Sequence, residues 1–197
     1  MINREVWIMG DSVGLSGSKV VFVYYAHPMF MYYTPEEEDV IKSIKEYFGK
    51  NGKEVVVINP SEYEKIESFK EIKKSKGMKF CLCLVEMADY LVFQRYKITE
   101  GFKKFLKEYM DEESSGEEKV RKEMHKLRGL MKREKIVTPG VAEEVNHALE
   151  NDIPVYEITE SGIEDFREEE LKSDISPPPE DTLYNTLKRC FQISEVE

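Results

Sequence analysis

The segment Lys19 to Ala26 reads KVVFVYYA and constrains the fold most. After Lys19 it is apolar, β-branched or aromatic at every position, with no polar alternation. It is too short for a buried helix. A continuous run of this kind suits a strand covered on both faces, as in a parallel sheet between helical layers. His27-Pro28 follows at once, and proline ends a ladder because it has no N–H to donate. Glu54 to Ile58 (EVVVI) repeats the character and is closed by Asn59-Pro60-Ser61. Asp89 to Phe93 (DYLVF) gives a third strand, and Pro154 to Ile158 a last one.

Helical segments alternate with these strands. Thr34 can cap a helix, Pro35 fits its first turn, and the acids after it complement the positive dipole end. Val40, Ile41, Ile44, Tyr47 and Phe48 then recur at helical spacing, and Asn51-Gly52 stops the helix. Residues 61–77 form a polar connection with some helical character. Met78 to Met87 reads as a buried helix, 99–110 as an amphipathic one, and about 140–150 as another. This order predicts an α/β fold: a three-layer α/β/α domain around a mostly parallel sheet of five strands, flavodoxin-like or Rossmann-like. The domain is expected over residues 1–158, with an extra strand or arm before residue 19 and a charged helical insertion at about 111–135. An acidic tail is expected over 159–197, with a Pro177-Pro178-Pro179 spacer and a short docking helix at 183–193.

Composition narrows the class of protein. Of 197 residues, 41% are apolar, which excludes global disorder. The 39 acidic and 29 basic side chains leave a net charge of −10, which argues against a nucleic-acid polymer as partner. No run of about 18 apolar residues suggests a membrane span, and the amino terminus lacks a signal-peptide pattern. A cytoplasmic protein is expected. Three cysteines, Cys81, Cys83 and Cys190, do not form a disulfide framework, and without a CxxC pair no metal site is expected. Gln occurs only at 94 and 192 while Lys and Glu abound, a composition typical of proteins from very hot environments.

Ligands of parallel sheets bind beyond the carboxyl ends of the strands. The informative residues are therefore Ala26-His27-Pro28, Asn59-Pro60-Ser61, Gln94-Arg95-Tyr96 and Thr138-Pro139-Gly140. The last group leads straight into a helix, where free N–H groups and the dipole suit a phosphate. Thr138 adds a hydroxyl. Glu144 follows about a turn into the helix and can serve as nucleophile, base or hydroxyl acceptor. Structural readings compete with these: a capped helix with solvent-facing acids, a turn histidine at 27, and core cysteines at 81 and 83.

The order of features resembles the nucleoside 2-deoxyribosyltransferases and the related 2′-deoxynucleoside 5′-phosphate N-hydrolases. The resemblance rests on the strand Val20 to His27, the strand ending at Asn59-Pro60, and Ala88-Asp89 opening a third strand. Gly140-Val-Ala-Glu-Glu144-Val-Asn-His-Ala148 before Ile153-Pro-Val-Tyr completes it. It covers roughly residues 19–110 and 136–158. It implies that Glu144 attacks the anomeric carbon and that Asp89 assists the leaving base. Thr138, six positions before Glu144, and the Gly140 backbone would hold a 5′-phosphate. His27, Asn59 and Tyr25 are taken as further substrate contacts. The first-strand tyrosine that positions the nucleophile in the family falls by register at Val23, with Tyr24 and Tyr25 beside it. The chemistry is coherent: a carboxylate stabilises positive charge on the sugar or bonds to it, and an acid of raised pKa relieves the departing base.

The resemblance implies no cofactor, a small nucleoside or nucleotide as ligand, and a homodimer or larger homo-oligomer. The runner-up is a catalytically silent nucleotide-binding or signalling module using the same cleft. A third reading is a phosphoribohydrolase resembling the lysine-decarboxylase-like family, whose glycine-rich motif Pro139-Gly140 to Glu144 matches in part.

Overall fold

The computed structural model describes residues 20–28, 31–50, 52–63, 65–98 and 132–174, with single positions at 100, 103, 104, 107 and 129. The expected arm before residue 19 and docking helix at 183–193 lie outside the described residues. So do most of the expected helix at 99–110 and most of the insertion.

Strand β1 (Val20–Ala26) is followed by helix α1 (Pro35–Phe48), strand β2 (Glu54–Ile58), the short helix α2 (Pro60–Tyr63) and helix α3 (Glu67–Glu86). Strand β3 (Tyr90–Gln94) then leads to β4 (Tyr96–Lys97), β5 (Lys135–Ile136), helix α4 (Pro139–Glu150), and strands β6 (Val155–Thr159) and β7 (Gly162–Asp165). Among the described residues the sheet has five strands in the order β2-β1-β3-β6-β7. β1 pairs in parallel with β2 and β3, β3 in parallel with β6, and β7 is antiparallel to β6. The fold is thus the expected three-layer α/β architecture with a mostly parallel sheet.

Alternation along each strand sorts the core into two layers. Tyr24, Ala26, Leu91, Phe93 and Val155 pack with Leu84 and Val85 of α3 and Val141, Val145 and Ala148 of α4. Val21, Val23, Tyr25 and Val92 face the other way, onto Val40 and Ile44 of α1. Burying such side chains contributes about 1.5–3 kcal/mol each. Helix α1 begins as the sequence predicts, with the Thr34 Oγ1 accepting from the Glu37 N–H at 3.2 Å.

Three elements differ from expectation. Helix α3 starts at Glu67, absorbing much of the polar connection read over 61–77. Asp89 precedes β3 rather than opening it. The acidic stretch from 159 does not leave the domain at once: a turn at Gly162, whose φ of 128° disfavours a side chain, folds β7 back onto β6. The chain then crosses α4. Leu171 is 2% exposed in the core, and Asn146 both donates to the Leu171 carbonyl (3.0 Å) and accepts its N–H (2.7 Å). A strand with a single apolar residue, Ile163, beside a glycine and two acids reads as tail by composition. Its pairing partner, β6, decides otherwise.

Two-stranded pairing of Tyr96 with Ile136 and Lys97 with Lys135 brings the chain back beside the end of β3. Helix α4 therefore starts at the carboxyl edge of the sheet, since it must run down to reach the start of parallel strand β6.

Candidate functional site

Tyr24 sits in the middle of β1, paired with Ile58 on one side and Leu91 on the other. Its side chain points to the α4 face. There its hydroxyl donates to Glu144 Oε1 at 2.9 Å, with both groups buried. Burial pushes the Glu144 carboxyl up to about 8. Hydrogen bonds from Tyr24 and the Cys81 thiol oppose that rise, and the neighbouring Glu143 charge adds to it. The same burial, then the Glu144 charge, raises the Tyr24 hydroxyl well above its ordinary range. A carboxyl displaced this far, held by a phenol and a thiol on the ligand-binding side of a parallel sheet, is a candidate reactive group.

The other expected residues divide by sheet edge and by sheet face. Thr138 precedes α4 in extended conformation, and its hydroxyl makes no cap bond to the helix. Gly140 lies against α3, where a Cβ would stand 3.3 Å from Met78 Cε, so a small residue lets the two helices approach there. Both occupy the carboxyl edge, six and four residues ahead of Glu144.

His27 and Asn59 reach the same edge but are consumed by the protein. His27 Nδ1 faces the Tyr25 carbonyl and Nε2 faces Glu37 Oε1, each at 3.0 Å. Both ring nitrogens meet acceptors, so neither is free for a ligand. Asn59 donates to Glu37 Oε1 at 2.9 Å and accepts the Ser61 N–H at 3.0 Å. Glu37 is the hub. Its burial works to raise the pKa, but hydrogen bonds from His27, Asn59, Ser61 and the Tyr33 N–H outweigh this and bring it down to about 2. The expected ligand contacts at 27 and 59 are therefore the walls of the edge.

Tyr25 is on the wrong face for contact with Glu144. It packs toward α1, stacks on His27 with ring centroids 4.0 Å apart, and donates to Gln94 Oε1 at 3.1 Å. Val23 shares that face. A one-residue shift along a strand reverses the side, which is why Tyr24, and neither Val23 nor Tyr25, meets the carboxyl.

Asp89 is at the opposite end of the sheet from Thr138. It is exposed, its Oδ2 accepts the Phe22 N–H at 2.9 Å, and its own N–H donates to the Phe22 carbonyl at 2.8 Å. The side chain ties the amino ends of β1 and β3 together, so the geometry assigns it to strand pairing and not to Glu144.

Four contributors escaped sequence reading. Tyr24 was beside the expected position. Glu37 carried a signal in Thr34-x-x-Glu37, a capping-box spacing. Cys81 and Asp174 carried none. Asp174 Oδ2 accepts the Val137 N–H at 2.7 Å, its N–H donates to the Val137 carbonyl at 3.0 Å, and its Oδ1 pairs with Arg133. This fixes the chain immediately before Thr138.

An open cleft of about 690 Å³ runs along the outer side of α4, between Leu82 and residues 170–173. Its lining includes Glu143 but not Glu144. It lies apart from the buried Tyr24–Glu144 pair, which faces inward toward the sheet. Among the described residues, no three His, Cys, Asp or Glu side chains are grouped to hold a metal ion, and no helix is long and apolar enough to cross a membrane. Comparison with protein-family models, with curated proteins and with solved structures finds no match for this chain.

Proposed function

We propose that the protein cleaves or transfers the N-glycosidic bond of a nucleoside or nucleoside 5′-monophosphate, with Glu144 as nucleophile. The observation that carries this reading is the buried 2.9 Å bond from the Tyr24 hydroxyl to Glu144. Breaking the bond builds positive charge on the sugar. A carboxylate there stabilises it or forms a glycosyl intermediate, with the Tyr24 donor fixing which oxygen is presented. Thr138 and the first N–H groups of α4 offer donors to the substrate's hydroxyls from the same helix. The sequence resemblance supports the same assignment of Glu144, and Tyr24 fills the role of the first-strand tyrosine.

The test is base release from a panel of deoxynucleosides and their 5′-monophosphates, followed by chromatography. Free base that disappears in Glu144→Ala and Glu144→Gln supports the reading. Release that survives both substitutions overturns it.

A second reading draws on one observation. With its pKa near 8, Glu144 is mostly protonated at neutral pH, and a neutral carboxyl is no nucleophile. A silent nucleotide-binding module fits that state. It predicts nucleotide binding without turnover up to pH 9 and no change in affinity in Glu144→Gln.

A further inference from the structure

Helices α3 and α4 pack side by side over the sheet, and two contacts fix their register. Gly140 lies against Met78, and two turns further along α4 the His147 Nε2 faces Glu86 Oε1 at 2.9 Å. Between these contacts the seam brings Cys81 to Glu144, and the thiol donates to the carboxyl there. On α3, Met78, Cys81, Val85 and Ala88 share one face at helical spacing, and Val85 and Ala88 are buried. Cys83 is on the opposite side of the helix and exposed. The Cys81 thiol is half-buried, whereas Glu144 is buried.

Three elements thus converge on one carboxyl. Tyr24 reaches it from β1 and Cys81 from α3, while the Glu143 charge stands beside it on α4. Tyr32, in the loop after β1, acts on the Tyr24 hydroxyl. The two donors stabilise the anion against burial and against Glu143. A thiol suits a tight helix seam, being a small apolar group with one weak S–H donor. We infer that Cys81 is a positioning residue for Glu144: its thiol and the Tyr24 hydroxyl form a two-donor cradle that holds the carboxyl and favours its reacting, anionic form. The role in the reaction rests on the N-glycosidic reading above, whereas the contact itself does not.

The experiment follows the Glu144 side-chain carboxyl by carbon-13 NMR from pH 5 to 10 in the parent, Cys81→Ala and Cys81→Ser, the resonance being assigned by its absence in Glu144→Gln. Base release from a deoxynucleoside is measured over the same range. In Cys81→Ala the Glu144 midpoint should move upward by about half to one pH unit, the amount that one such hydrogen bond supplies. Base release at pH 7 should fall about three- to tenfold, with its level above the midpoint unchanged. Cys81→Ser keeps a donor and should return both to the parent values. A cysteine that merely packs would instead lower the rate equally at every pH. An unmoved NMR midpoint in Cys81→Ala, or one raised as far in Cys81→Ser, overturns the inference. A midpoint that moves as expected with no base released by any of these proteins defeats the glycosidic reading and leaves the cradle standing. Should Cys81→Ala fail to fold, alkylation of Cys81 by iodoacetamide in a Cys83→Ser chain decides. Coupling is reciprocal, so adding Glu144→Gln should speed that alkylation about three- to tenfold at pH 9, and an unchanged rate overturns the inference.

Discussion

Tyr24 and Glu144 stand 120 positions apart in the chain, yet the hydroxyl of one donates to the carboxyl of the other at 2.9 Å in a buried setting. The tyrosine comes from a central strand and the glutamate from the helix packed over it. Both are locked by rigid elements, so the pair is pre-positioned and does not depend on a loop.

The pH dependence of stability should expose Glu144. Its folded pKa is about 8 against an ordinary 4.5, so the native state holds a proton that the unfolded chain releases. Below pH 4.5 both states are protonated and there is no penalty. As pH rises from 4.5 to about 8 the penalty grows, reaching about 4–5 kcal/mol at most. Glu144→Gln removes it while keeping an acceptor for Tyr24. Denaturant titrations should show this variant gaining on the parent between pH 5 and 8. A constant difference over that range would refute the assignment.

Activity should follow the same group in the opposite sense. If the carboxylate is the reacting form, base release should climb about tenfold per pH unit below 8 and level off above it. In Tyr24→Phe the lost donor raises the Glu144 pKa further, shifting the midpoint upward and lowering turnover at pH 7. Tyr25→Phe, on the other face of the sheet, should leave the midpoint unmoved. Rate–pH profiles of the three proteins make the comparison.

Acid should attack a different part of the edge. The Glu37 carboxyl sits at about 2, below its ordinary 4.5, so its contribution is present above pH 4.5 and lost as pH falls toward 2. The amount is about 3 kcal/mol at most. Glu37→Gln should flatten the acid limb of the stability curve. Glu37→Ala should cost more at neutral pH, since His27 and Asn59 both lose an acceptor. Thermal melts from pH 2 to 7 would reveal either result, and an unaltered acid limb in Glu37→Gln would count against the hub.

The strap across α4 should behave as core and not as tail. Leu171→Ala leaves a cavity in the larger cluster and should cost about 2–5 kcal/mol. Asn146→Ala removes both bonds to the Leu171 backbone and should cost about 1–3 kcal/mol. Because both act on one segment, the double variant should cost less than the sum. Losses under 0.5 kcal/mol in both would show that the strap is undocked in solution.

Strands β1, β2, β3 and β6, the capped start of α1 and the parallel class of sheet are legible in the chain itself. All of these follow from local pattern: apolar runs of strand length, and polar punctuation by Thr34-Pro35, His27-Pro28 and Asn59-Pro60. It also marked Glu144, through the turn and helix that lead to it. Tertiary structure alone decided which tyrosine meets that glutamate, because strand register sets the side chain's face and cannot be read from a run in which every position is apolar or aromatic. It decided that Asp89 belongs to the amino edge, since which end of a strand a residue occupies depends on where the strand begins. It also decided that His27 and Asn59 are engaged by Glu37, and that an acidic stretch past residue 159 returns to cover α4. Those outcomes depend on partners distant in sequence, and a polar residue's role is set by which of them reaches it first with a compensating hydrogen bond.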